Sequence, residues 1–157
     1  IVAIVGGAKL ETKLPVLENL TKIADFVLVG GLLAKEITEK GGRLGFESEK
    51  LMIASLTADT KDIDDASIEK FKDVISGAKT VIWNGPVGLF EEGHDAGTKA
   101  IANAILDSDS YSVVGGGETT EFLSSKNISG FTFVSSGGGA MLEFLAGKEL
   151  PGLKALE

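Results

Sequence analysis

The chain has 157 residues, 43% hydrophobic and 24% charged, which is the size and make-up of one globular domain and excludes a mainly disordered chain. Its net charge of −8, with 23 acids against 15 bases and Arg43 as the sole arginine, excludes a sequence-independent nucleic-acid binder and a chain that clamps a polyanion with arginines alone. No apolar run approaches the ~20 residues of a membrane span, and without cysteine there is neither a disulfide nor thiolate chemistry, which suits a cytoplasmic setting.

In chain order, one unit recurs: a short apolar run, then glycines, then a helical pattern. Ile1–Val5 reads as a buried strand, and an opening directly inside a strand marks the chain as the C-terminal part of a longer protein cut at a domain boundary. Gly6-Gly7 follows, then a helix whose Leu14, Leu17, Leu20 and Ile23 fall on one face. Phe26–Val29 leads through Gly30-Gly31 to a helix through Ile37, Leu51–Leu56 is a further candidate strand, and Ala66–Ile75 reads as a helix. Lys79–Trp83 leads through Asn84-Gly85-Pro86 to a helix over Thr98–Leu106. Tyr111–Val114 leads through Gly115-Gly116-Gly117 to a helix from Thr119, and Phe131–Val134 leads through Ser135–Gly139 to a helix over Met141–Leu145. Strands that are apolar throughout belong to a parallel sheet covered on both faces. The expected fold is a single three-layer, Rossmann-like α/β domain over residues 1–157, with an open, mostly parallel sheet of about six strands and helices on both faces.

Glycine is the outlier in composition: 21 residues of 157, against a usual share of about 7%. Twelve of them (Gly6, Gly7, Gly30, Gly31, Gly85, Gly88, Gly115, Gly116, Gly117, Gly137, Gly138, Gly139) sit at five predicted strand ends. Open α/β sheets bind ligands beyond those ends, where glycine admits close backbone approach and the next helix start offers free N–H groups. Five such turns together favour a nucleotide or phosphate site, although neither G-x-G-x-x-G nor a Walker loop is present.

Individual side chains refine this reading. Lys9 and Lys13, four apart, place two ammonium groups on one helical face near the first glycine turn, which suggests an anion partner, the plainer alternative being a solvated lysine face. In Trp83-Asn84-Gly85-Pro86-Val87-Gly88-Leu89-Phe90-Glu91, Pro86 and Leu89 can wall a flat ring and Glu91 can accept from ribose hydroxyls; a buried turn with a capping acid fits the same residues. Glu118 and Thr119 open a helix after a triple-glycine turn, where a carboxylate can ligate magnesium beside phosphates or merely answer the helix dipole. His94, the lone histidine, reads as a surface residue.

Taken in order, Gly6-Gly7-Ala8-Lys9 with Thr12-Lys13, Val29-Gly30-Gly31, the Trp83–Glu91 stretch, Gly115-Gly116-Gly117, Ser136–Ala140 and Gly147–Gly152 resemble phosphoglycerate kinase, specifically its C-terminal nucleotide-binding domain. The resemblance implies phosphoryl transfer between 1,3-bisphosphoglycerate and Mg-ADP. It implies that Gly6, Gly7, Ala8, Gly30, Gly31, Pro86 and Leu89 line the adenine side and that Glu91 holds the ribose. Lys9, Lys13 and Asn84 would meet phosphates, Gly116, Gly117 and Thr119 would cradle them, and Gly137, Gly138 and Gly139 would present a helix start to the transferred group. Lys13, Gly116, Gly138 and Gly139 are the implied catalytic set, with Mg2+ linked through Glu118.

Two departures stand out. Glu118 occupies a position where the family usually has Asp, and the region 46–65 is shorter than the family's. The family's N-terminal, phosphoglycerate-binding domain, with its arginines and histidine, lies outside this chain. The isolated chain is therefore expected to be an inactive monomer that binds Mg-ADP or Mg-ATP. The competing expectation is a non-catalytic excised α/β module with a vestigial pocket, for which the shortened 46–65 region speaks.

Overall fold

The computed structural model describes residues 1–156. Six strands form one sheet: β1 (Val2–Val5), β2 (Phe26–Val29), β3 (Leu51–Ile53), β4 (Thr80–Asn84), β5 (Tyr111–Gly115) and β6 (Phe133–Ser135). Their spatial order is β3-β2-β1-β4-β5-β6, and every pairing is parallel rather than mostly so. The helices are α1 (Leu10–Ile23), α2 (Gly31–Glu39), α3 (Asp65–Ser76), α4 (Ala96–Asp107), α5 (Gly117–Ser125), α6 (Gly138–Leu145) and α7 (Pro151–Lys154). None of these helices is long and apolar enough to cross a membrane.

Alternation along each strand divides the core into two layers. Ala3 and Val5 of β1, with Val27 and Val29 of β2, meet Leu17 and Leu20 of α1, Leu33 and Ile37 of α2 and Leu145 of α6. Val2 and Ile4, with Val81 and Trp83 of β4, meet Phe71 and Ile75 of α3, Ile101 and Ile105 of α4 and Phe122 of α5. The central strands are buried on both faces, which is why their sequences are continuously apolar.

Three expectations are revised. Leu10, Lys13, Val16, Leu17 and Leu20 are the buried residues of α1, whereas Ile23 at its last turn is 50% exposed. The 51–56 strand stops at Ile53; Leu56 instead makes an isolated antiparallel bridge with Ile63. The sixth strand runs Phe133–Ser135, with Phe131 left outside it and packed on Trp83 at 6.1 Å between ring centroids.

Leu17→Ala empties a fully buried position and is expected to cost about 2–5 kcal/mol. Ile23→Ala should stay within about 0.5 kcal/mol. Urea unfolding of the two variants checks the assignment, and equal losses would contradict it.

Candidate functional site

Because all strands run parallel, their carboxyl ends share one rim, and the strand order reverses between β1 and β4. That reversal leaves a crevice, since the connections on either side run away from each other. The crevice is a cleft of about 510 Å3, lined by Lys9, Lys13, Asn84 and Gly85, by Gly116–Thr119, and by Ser136, Gly138 and Gly139. A shallower hollow continues it from Gly7 and Ala8 to Leu32, Pro86, Gly88, Leu89 and Glu91, with Glu118 bordering both.

At the cleft floor Lys13, on the buried face of α1, is only 8% exposed. Its Nζ donates to Asn84 Oδ1 at 2.8 Å. Burial holds the ammonium below the ordinary lysine value, and the nearby Glu118 carboxylate works in the opposite direction. Asn84 is the last residue of β4 and is 3% exposed; its Nδ2 has no acceptor. An amide hydrogen-bonded at one end and empty at the other is an unusual cost, because a buried donor without a partner forfeits its hydration. The neighbouring turn is tied in place: Thr119 Oγ1 accepts from Gly85 N at 2.8 Å, and Trp83 Nε1 donates to Gly85 O at 2.8 Å.

The helix starts on this rim fall into two groups. Glu36 accepts from Leu10 N at the start of α1, the Gly7 carbonyl accepts from Leu33 N in α2, Asp64 caps α3, and Asp62 accepts from Gly97 N in α4. The helices α5 and α6 begin after Gly116 and Gly137, and no side chain among the described residues caps either. These two starts abut in the cleft, where a side chain on Gly138 would press against the Gly116 backbone. Their first-turn N–H groups and Asn84 Nδ2 are thus donors without a side-chain acceptor among the described residues, and they stand beside the Lys13 ammonium, which gives one of its three N–H groups to Asn84 Oδ1.

Most sequence-predicted residues converge here: Gly7, Ala8, Lys9, Lys13, Asn84, Gly116, Gly117, Glu118, Thr119, Gly138 and Gly139 line the cleft, and Pro86, Leu89 and Glu91 the hollow. Lys9 and Lys13 do not share a helical face. Lys9 precedes α1 in the left-handed region (φ 67°) and is exposed, while Lys13 is buried. Gly6, Gly30 and Gly31 line neither hollow. They are buried in seams, where a side chain on Gly6 or Gly31 would meet the Pro86 carbonyl and one on Gly30 would meet Val87. Thr119 is fully buried, so its hydroxyl serves the Gly85 turn. His94 is partly covered, with Nδ1 3.6 Å from Asp59 Oδ2.

Leu32, Ser136 and Leu142 line the hollows without having been singled out. Ser136 stands directly before the Gly137–Gly139 run, which was signal enough. Leu142 lies one turn into α6, where its helical spacing reads as core. Glu118 is exposed and is the sole acid on the cleft, and no cluster of three or more His, Cys, Asp or Glu side chains able to hold a metal exists among the described residues.

Comparison with known proteins agrees with this geometry. The phosphoglycerate kinase family profile matches residues 1–56 and 47–148. Phosphoglycerate kinase from Haemophilus influenzae (strain ATCC 51907 / DSM 11121 / KW20 / Rd) is 38% identical over 158 aligned positions that cover 75% of this chain and 41% of the relative. That alignment is longer than the stretch of chain it covers, so the relative carries residues with no counterpart here. The two profile matches overlap at 47–56, within the region expected to be short. Among solved structures, phosphoglycerate kinase from Coxiella burnetii superposes with a TM-score of 0.87 at 31% identity, covering 99% of this chain and 52% of the other. The Pyrococcus horikoshii OT3 enzyme gives a TM-score of 0.78 at 30% identity, covering 99% and 51%. The chain spans about half the length of the proteins it matches, and it belongs to the phosphoglycerate kinase family.

Proposed function

We propose that this chain is the nucleotide-holding half of a phosphoglycerate kinase, binding Mg-ADP or Mg-ATP for phosphoryl transfer between 1,3-bisphosphoglycerate and ADP. The observation that carries the reading is a convergence of donors with capacity to spare: Asn84 Nδ2 and the starts of α5 and α6, which have no side-chain acceptor among the described residues, and the Lys13 ammonium, of whose three N–H groups Asn84 Oδ1 takes one. A polyphosphate supplies the acceptors and negative charge this set requires. The base and ribose would then lie in the Leu32–Pro86–Leu89 hollow, with Glu91 at its edge.

In this reading Lys13, Gly116, Gly138 and Gly139 do the catalytic work by position and charge. Transferring a phosphoryl group asks little covalent chemistry of a protein; it asks for donors fixed around the oxygens as charge redistributes. Lys13 is suited to this, since Asn84 fixes its ammonium in a buried site where each interaction with an anion is stronger than in water. Glu118 is the side chain that would hold a magnesium ion, whose chemistry is to neutralise phosphate charge. A single carboxylate fits that ion, which takes its remaining ligands from phosphates and water. The glutamate keeps the charge of the family's aspartate one methylene further from the backbone. The phosphoglycerate site belongs to the companion half of the enzyme, so the isolated chain binds nucleotide without turnover.

Calorimetric titration of the chain with MgADP is expected to show saturable binding in the millimolar range or tighter, and a flat titration would refute the nucleotide reading. Lys13→Ala should weaken binding about 10- to 100-fold, the scale of a lost charged hydrogen bond; unchanged affinity would return Lys13 to a purely structural role.

The depressed Lys13 pKa gives a further signature. An anion beside the ammonium raises its pKa towards 10.5. Between the depressed value and 10.5, part of the free chain carries neutral Lys13, so binding takes up protons there. The measured heat should depend on the buffer's ionisation enthalpy in that window, and a heat independent of the buffer throughout would contradict it.

Asn84→Ala leaves the Lys13 ammonium buried without its acceptor and is expected to cost about 1–3 kcal/mol in chemical denaturation. Adding Lys13→Met to that variant should recover part of the loss, since it removes the unpaired charge.

A further inference from the structure

Asp62 lies outside both hollows, yet it is only 5% exposed. Its Oδ1 accepts from Ile63 N at 2.8 Å and its Oδ2 from Gly97 N at 3.0 Å. A buried carboxylate is costly. Burial pushes the Asp62 carboxyl up and Asp95 adds to this, while the two N–H bonds and His94 oppose it. The Gly97 bond places that charge on the start of α4, where the helix dipole favours it.

Capping α4 does not exhaust its contacts. Gly88 packs so closely on Asp62 Oδ1 that any side chain there would collide with it. On the same turn, the Lys61 carbonyl accepts from Leu89 N at 2.8 Å, and Lys61 Nζ pairs with Glu92 at 2.6 Å. Asp59 faces His94, and Thr57 closes the turn by exchanging backbone and hydroxyl bonds with Asp62. The 57–62 turn therefore grips the 88–94 segment at both ends, and that segment carries Leu89 and Glu91.

We propose that Asp62 is a positioning residue for the base and ribose side of the site: by anchoring Gly88 and the start of α4 it sets where Leu89 and Glu91 stand. This rests on the nucleotide reading above. The phosphate side is built on other elements (Lys13 on α1, Asn84 on β4 and the starts of α5 and α6), so the two halves of the site have separate supports.

The separation gives the test. Calorimetry would compare MgADP with tripolyphosphate, which engages only the phosphate side, on the unmodified chain, Asp62→Ala and Asp62→Asn. Asp62→Ala is expected to weaken MgADP about 10-fold, as displaced positioning groups do, and to leave tripolyphosphate within about twofold. Asp62→Asn, which keeps one of the two acceptors, should fall between. Equal weakening of both ligands would reduce Asp62 to a general stabilising role and overturn the proposal, as would unchanged MgADP affinity. A second measurement needs no variant: in the unmodified chain, ADP should slow amide exchange at Leu89 and Gly97 while tripolyphosphate leaves both unchanged, and equal slowing overturns the proposal. An unmodified chain that binds tripolyphosphate and not ADP would sink the nucleotide reading, and the proposal with it. That outcome is distinct from the others, in which ADP still binds.

Discussion

The architecture depends on how closely two backbones meet at the sheet's reversal point. Gly6, just past β1, donates to the Asn84 carbonyl at 2.9 Å, and Gly7 donates to Pro86 O at 2.8 Å. No Cβ fits at Gly6, because the Gly85 and Pro86 carbonyls occupy its place. This contact draws the ends of β1 and β4 together where the topology would otherwise part them. It also presents Asn84, whose chain neighbours are held in the seam, to Lys13. A side chain in the seam would push the turns apart and dissolve the pairing of Lys13 with Asn84. Site geometry and backbone packing are in this sense the same constraint.

A second regularity concerns where the acids are spent. The chain is strongly acidic, yet three of its carboxylates satisfy helix starts away from the cleft centre, Glu36 on α1, Asp64 on α3 and Asp62 on α4, and Glu118 is the sole acid on the cleft among the described residues. The two helix starts left bare on this rim are those that meet in the cleft. Glycine there does more than allow a turn. It excludes the short polar side chains that would cap the helix and compete with a ligand for its N–H groups. An overall charge of −8 is thus compatible with an anion-seeking cleft, because the local field is set by uncapped dipoles and a buried ammonium rather than by the total.

The sequence disclosed the alternating architecture and most of the cleft, since both rest on local patterns: apolar runs of strand length, and glycines directly after them. Seams and surfaces were less legible. Gly6, Gly30 and Gly31 look the same in one dimension as Gly7 and Gly116, and only the third dimension separates glycines that line the cleft from those packed against a neighbouring stretch of chain. The Lys9–Lys13 spacing suggested one helical face, but the helix begins after Lys9, at a residue in the left-handed region. Asp62 gave no signal at all. Its role comes from partners 26 and 35 residues downstream, Gly88 and Gly97, and no local pattern encodes such a separation.

The sheet also tapers. Its interior strands have four residues (β1 and β2) or five (β4 and β5), while the edges β3 and β6 have three. Exposed edges are where foreign strands add and where chains stack into aggregates, and a short edge offers too few free N–H and C=O groups to align an intruder. This sheet is open, with β3 and β6 at its edges, so brevity stands in for closure. The short edges therefore have a colloidal consequence: a strand of three residues resists templated association.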